Sequence, residues 1–344
     1  MLRGRNVLAM LGVGLLLALT GCGAGSGGSG SSAGSGPLTL YNGQHESTTK
    51  LLVSDFTKAT GIKVNIRSGE DPEVANQILQ EGSASPADVF YTENSPALAL
   101  LSEKGKLAPV DQATLRQIPA KYDSPKGDWV GVAGREAVLV YNPATLPASQ
   151  LPKSIMDVGG PAWHAKIGIA PAEGDFQAIV AAVAKAEGTQ KATAWLQGLK
   201  RDGQTYESNT AIMQAVNRGD IPAGIIYHYY VLRDQAESGA NSSHVKLYYF
   251  GHQDPGAFVS VSGAGVLKSS KHQAEAQRLV SFLTGTQGQT DLAKSDDFEY
   301  PLNPQVPANP KLKPFDQLQA PDIGPADIGD GTQAVALLQQ VGLL

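Results

Sequence analysis

From Leu38 onward the chain switches repeatedly between two hydrophobic periods. Leu38-Thr39-Leu40-Tyr41 alternates as a strand, and residues 48–59 space their apolar side chains as a helix that Gly61 stops. Residues 62–66 alternate again, a helix follows at 72–80, and Ala87-Asp88-Val89-Phe90-Tyr91 reads as the next strand. The same reading gives strands at 137–141, 166–170, 223–227, 245–250 and 265–267. Helices are predicted at 176–186, 191–199, 209–217, 230–237 and 273–283, with a last one at 332–341. The Pro- and Asp-rich stretch from 301 to 331 is expected to run extended over the surface. Strands alternating with helices imply α/β lobes with a mostly parallel sheet, and ligands in such sheets sit beyond the carboxyl ends of the strands.

The beginning of the chain has a different character. Arg3 and Arg5 precede an apolar run at 7–17, too short for a comfortable membrane span, and Leu19-Thr20-Gly21-Cys22 follows. That sequence looks like a lipobox, the cleavage and acylation signal of bacterial lipoproteins. The expectation is a signal peptide over 1–21, lipidation at Cys22 and a flexible Gly/Ser tether over 22–36. The product would sit on the extracytoplasmic face of the cell membrane. Cys22 is the single cysteine, so there are no internal disulfides and no thiolate zinc site. A net charge of −5 without a basic stripe argues against nucleic acid as a partner. Two short glycine patterns in the tether mimic a dinucleotide fingerprint and a nucleophile elbow, but neither has the strand and helix those motifs require.

Three predicted strand ends carry candidate chemistry. His45 follows the first strand, Glu93 follows Tyr91-Thr92, and Tyr227-His228-Tyr229-Tyr230 stands where a strand turns into a helix. On a regular strand Tyr229 and Tyr230 would face opposite ways; at such a turn they can converge. Taken singly, a histidine at a helix start, a solvated glutamate and adjacent core tyrosines are ordinary. Taken together, imidazole, carboxylate and paired phenols suit a small hard cation. A free phenol has a pKa of about 10, so a strongly polarising ion is needed to hold two as phenolates. Zinc sites favour His and Cys, calcium sites favour many carboxylates and carbonyls, and this set suits Fe³⁺.

The motifs YNGQH at 41–45, SPADVFYTE at 85–93, NTAIMQAV at 209–216, HYY at 228–230, HQDPGAFVS at 252–260, SGAGVLKSSKHQAEAQ at 262–277 and EYPL at 299–302 carry a resemblance. In this order and spacing the chain resembles the bacterial ferric-ion-binding proteins, the iron-binding class of ABC substrate-binding proteins. The resemblance implies a two-lobed periplasmic-binding-protein fold of α/β lobes joined by crossing hinge strands. It implies Fe³⁺ as cargo, with His45, Glu93, Tyr229 and Tyr230 as ligands, and a monomer that delivers iron to an ABC permease and ATPase complex. We expect lobe 1 over 37–135 and 258–310, lobe 2 over 136–257 and 311–344, and hinge strands near 134–140 and 256–262. His45 and Glu93 would come from lobe 1 and the tyrosines from lobe 2.

In one place the chain departs from the family. Its members commonly hold a synergistic anion at a helix N-terminus formed by a Ser-Gly-Ala loop, with asparagines beside it. Here the loop reads Glu173-Gly174-Asp175; Asn209 keeps one asparagine position and Tyr227 stands at the other. A carboxylate would repel an anion by about 4 kcal/mol at 4 Å and an effective dielectric of 20. Asp175 also suits an ordinary helix N-cap, and Glu173 suits a solvent-facing charge. The sharper expectation is that Glu173, Asp175 or Tyr227 supplies the missing ligand internally. Two other readings compete. A lipoprotein receptor for an organic cation, sugar or phosphonate would use stacking and ion pairs instead. A secreted metal-dependent hydrolase would need an open metal position with a poised base, and His252 near Asp254 reads better as a turn.

Overall fold

The computed structural model describes residues 36–344; the expected signal peptide, Cys22 and the expected tether up to residue 35 lie outside the described residues. Strands β1 (Leu38–Asn42), β2 (Val64–Ser68) and β3 (Val89–Thr92) are separated by helices α1 (Glu46–Thr60) and α2 (Asp71–Glu81). β1 lies between β2 and β3 and runs parallel to both, as strands joined by helical crossovers do. Helices α3 (Pro96–Glu103) and α4 (Gln112–Leu115) lead to β4 (Val130–Tyr141), whose residues are all buried. A second α/β series follows: β5 (Ile167–Ile169), α5 (Gly174–Glu187), α6 (Thr189–Asp202), β6 (Gln204–Thr205), α7 (Asn209–Arg218), β7 (Ala223–Tyr227), α8 (His228–Glu237) and β8 (Lys246–Tyr248). The chain continues through β9 (Val259–Val266), α9 (Gln273–Thr284), α10 (Thr286–Lys294), β10 (Tyr300–Pro301), α11 (Pro325–Ile328) and α12 (Thr332–Val341).

The sheet runs β2-β1-β3-β9-β4-β7-β5-β6, with β8 and β10 also paired to β4. Two antiparallel strands thus sit between two parallel sets. β9 pairs with β3 at one edge and with β4 from Val130↔Ala264 to Glu136↔Val259 at the other. At Ala137 the partner of β4 changes to β7, from Ala137↔Tyr227 to Tyr141↔Ala223. Leu40, Leu52, Phe56, Val89, Leu279 and Val280 belong to the core beside the first parallel set. Leu139, Ile169, Phe176, Ile179, Trp195 and Ile225 belong to the core beside the second.

Several sequence expectations shift. β4 starts seven residues before the predicted 137, because Gly131, Ala133 and Gly134 mask the strand in hydropathy. They are small for a reason: a Cβ on Gly131 would lie 2.6 Å from the Tyr122 carbonyl oxygen. The 301–331 segment is not a purely extended surface tail. Leu312, Leu318 and Ile328 are buried in the second core, and α11 and a turn at Phe315–Gln317 shape the path between them. Their irregular spacing between prolines gave no period to read. α8 begins at His228, so both adjacent tyrosines lie in its first turn. Among the described residues no helix is long and apolar enough to cross a membrane.

Candidate functional site

Two loops at the carboxyl ends of β1 and β3 are tied together before any charge converges. Asn42 closes an Asx turn, accepting from the Gln44 N–H at 3.2 Å and from Thr49 Oγ1 at 2.8 Å. This delivers His45 to the start of α1. From α2, the buried Asp71 carboxylate accepts the Glu93 N–H at 3.2 Å and the Asn94 N–H at 2.7 Å. Gly43 packs against that carboxylate so closely that a Cβ there would stand 1.8 Å from Asp71 Oδ1. Burial and the neighbouring Glu93 push the Asp71 carboxyl up to about 7.

Opposite these loops β7 ends at Tyr227 and α8 starts at once. His228 points away from the cleft: its Nδ1 accepts the Glu136 N–H at 3.1 Å, which leaves Nε2 to donate to the Phe298 carbonyl at 2.8 Å. Burial lowers it to about 4, so it stays neutral. With His228 pinned, Tyr229 and Tyr230 project together, their rings stacked with centroids 4.2 Å apart. Tyr229 Oη donates to Glu93 Oε1 at 2.8 Å, and Glu93 Oε1 lies 3.4 Å from His45 Nε2. The His45 and Tyr229 rings meet edge to face at 4.9 Å. The four side chains singled out from the sequence therefore occupy one cleft.

The loop before α5 supplies more acid. Asp175 is not the N-cap; it lies inside the helix, buried, with its carboxylate turned to the phenols. Its Oδ2 accepts from Tyr230 Oη at 3.1 Å and Asn209 Nδ2 at 3.0 Å and lies 3.4 Å from Tyr229 Oη, whose proton points to Glu93, while Oδ1 accepts from Asn94 Nδ2 at 3.1 Å. Glu173 stands at the N-cap position without capping and does not point freely to solvent. Instead it accepts from the Asn209 N–H at 3.2 Å and from the Asn209 side-chain amide. Gly174 lines the same cleft, and Tyr227 donates to the Asp175 carbonyl at 3.4 Å. Burial, with Glu93 beside it, raises Asp175 to about 6; burial, with Asp175 beside it, raises Glu173 to about 7. Burial raises both tyrosines well above their ordinary value, reinforced by Asp175 and Glu93.

One cation faces this acid from behind. Arg135, on β4, is fully buried, 3.8 Å from Glu93 and 3.6 Å from Glu299. Its Nη2 donates to Asn94 Oδ1 at 2.8 Å and to the Glu93 carbonyl. Burial works against the charged guanidinium, but Glu93 and Glu299 more than reverse that and raise its pKa.

The chain matches the family model described as bacterial extracellular solute-binding protein over residues 52–320. It is 48% identical to the Fe(3+)-binding periplasmic protein of Serratia marcescens, covering 89% of this chain and 90% of that one. The chain belongs to the bacterial extracellular solute-binding proteins. This solute-binding protein is also 41% identical to the major ferric iron-binding protein of Neisseria meningitidis serogroup B, over 89% and 93% of the two chains. Among solved structures, iron-bound HitA from Pseudomonas aeruginosa superposes with a TM-score of 0.85 at 44% identity, over 89% of this chain and 99% of that one. A Trichodesmium protein in complex with iron and citrate gives 0.79 at 29% identity, with the same coverage of each chain. The solute-binding protein therefore has the two-lobed periplasmic-binding-protein fold and acts outside the cytoplasm.

In this solute-binding protein the cleft's character comes from oxygen donors. Its donor set combines the Tyr229 and Tyr230 phenols with the Glu93 and Asp175 carboxylates. Asp254, half of the apparent dyad with His252, caps the Pro255–Ala257 turn and accepts from Gly256 N–H at 2.7 Å. His252 and Gln253 take left-handed backbone at φ 52° and 58° to make that turn. Sequence reading missed Asp71, Asn94, Arg135 and Glu299 as parts of the site. The signal for Arg135 was present: a charged pair, Arg135-Glu136, interrupts an otherwise apolar or small run from 130 to 141. Glu299 lay in a quoted motif but beside no predicted strand end.

Proposed function

We propose that this protein captures Fe³⁺ outside the cytoplasm through His45, Glu93, Tyr229 and Tyr230 and presents it to an ABC permease and ATPase complex. One observation carries the reading: two stacked phenols, each hydrogen-bonded to a carboxylate, with an imidazole across from them. In this setting the phenols keep their protons unless a strongly charged cation takes their place. A trivalent ion does so: two phenolates and Glu93 offset its charge and Asp175 leaves the site mildly anionic, whereas a divalent ion leaves more of that charge uncompensated. The iron-binding relatives support the same cargo.

Asp175 fills the role that an external anion plays elsewhere. Its Oδ2 contacts both phenol oxygens, so it is placed to become a further iron ligand, and a synergistic anion is unnecessary. Asn209, Glu173 and Tyr227 hold that loop in place from α7, the α5 N-terminus and β7. The lobes are 37–135 with 258–310 and 136–257 with 311–344. Hinges near 134–140 and 256–262 are supported by the change of partner along β4 at Ala137. Leu19-Thr20-Gly21-Cys22 supports lipidation at Cys22, which anchors a monomer to the outer face of the membrane.

The test is a visible titration with ferric nitrilotriacetate. Wild type should develop the red-purple phenolate-to-iron absorption. Tyr229→Phe/Tyr230→Phe should lose the colour and tight binding while keeping its fold by circular dichroism. Unchanged affinity in the double variant sinks the assignment.

A further inference from the structure

From the geometry we infer that Glu299 is a positioning residue that fixes the His45 imidazole with Nε2 turned to the cargo; the inference rests on the ferric reading above. Glu299 is wholly buried in the segment just before β10. Its Oε1 stands 3.5 Å from His45 Nδ1, on the far side of the ring from Glu93, and 3.6 Å from Arg135 Nη1. Among the described residues neither that oxygen nor His45 Nδ1 has a hydrogen-bond partner, so each has the other as its nearest complement beside the guanidinium. Its other oxygen accepts from Gln44 Nε2 at 3.2 Å, and Gln44 Oε1 accepts the His45 N–H at 2.7 Å. One glutamate thus addresses the histidine twice, facing its ring nitrogen and reaching its backbone through Gln44.

The chemistry gives the grip a purpose. A histidine binds a metal through a nitrogen lone pair, so the other nitrogen must carry the proton. A carboxylate beside Nδ1 selects that tautomer, fixes the ring plane and makes Nε2 a better donor. The backbone around Glu299 is built for the task. Phe298 takes a left-handed conformation at φ 53°, its ring is buried in the second core, and its carbonyl accepts from His228. Asp297, on its other side, accepts from Ser47 Oγ at 3.3 Å in the first turn of α1. A short turn held at both ends therefore aims Glu299 at His45.

The experiment is a double-mutant cycle with ferric nitrilotriacetate competition as the probe, comparing wild type, Glu299→Gln, His45→Ala and the pair. Glu299→Gln alone should weaken iron binding about 10- to 100-fold. In the His45→Ala background it should add no further loss, because Glu299 acts through the ring. Losses that multiply, or a Glu299→Gln protein that binds like wild type while His45→Ala is weakened, overturn the inference. A second readout needs no iron. Nitrogen-15 spectra of the metal-free protein carrying Glu93→Gln, which removes the carboxylate facing Nε2, should show His45 as the Nδ1–H tautomer and as a mixture once Glu299→Gln is added; identical ring spectra also overturn it. If Glu299→Gln does not fold, Glu299→Asp, which withdraws the carboxylate by one methylene, enters the same cycle with the same expectations. A wild type that binds no ferric iron counts against the ferric reading, while the metal-free spectra still judge the hold of Glu299 on His45.

Discussion

Asp175 shows how one side chain changes what a binding site requires. Inside α5 rather than capping it, this carboxylate gathers both phenol hydroxyls and two asparagine amides. Asp175→Ala should therefore weaken ferric binding at least about tenfold in anion-free buffer, with partial recovery on adding phosphate. Isothermal titration with and without phosphate checks this, and an Asp175→Ala protein indifferent to phosphate contradicts it. Glu136 is a separate matter of stability. It is fully buried, among the described residues neither carboxylate oxygen has a hydrogen-bond partner, and burial pushes it up to about 8 despite Lys313. Folded Glu136 holds its proton to a higher pH than an unfolded glutamate, so its favourable contribution is complete below the unfolded value and drains away as pH rises toward 8. Glu136→Gln should leave the melting temperature at pH 5 nearly unchanged and raise stability at pH 8 by on the order of 2 kcal/mol. Melting curves across that range settle it.

At the scale of elements, the binding cleft is a meeting of ends: two strand termini, one helix start in α5 and the abrupt β7-to-α8 junction. The junctions were legible because each lies where a period of two gives way to a period of three to four, and polar side chains cluster there. His45, Glu93, Tyr229 and Tyr230 were found that way, together with the family resemblance. β4 and β9 were seen only in part, since glycines and serines in 130–136 and 260–263 lower the hydropathy of both strands although every residue of both is buried. Contacts between distant segments, such as Asp71 with the 93–94 backbone, leave no local trace at all. That contact yields a prediction. Gly43→Ala drives a methyl group into the Asp71 carboxylate and should cost about 1–3 kcal/mol, as overpacking does. It should weaken iron binding too, because both ligand loops move; a thermal melt and the ferric titration together test it.

Over the whole molecule, the proposed ligands come from both parallel sets of the sheet, so a bound ion stabilises the closed arrangement alone. Saturating iron should add about 4 kcal/mol of stability when free ligand stands a thousandfold above Kd. The expected signs are a higher melting temperature and, in small-angle scattering, a smaller radius of gyration. Tyr229→Phe/Tyr230→Phe should show neither change.

The place of β9 in the sheet has a consequence for how the molecule is born. It fills the gap between β3 and β4, yet it is made only when synthesis reaches residue 266 of 344. Until then the nascent polypeptide has two strand edges with no neighbour and cannot complete its central ladder. This order of assembly leaves the two parallel sets of strands without a shared sheet until residues 259–266 are made.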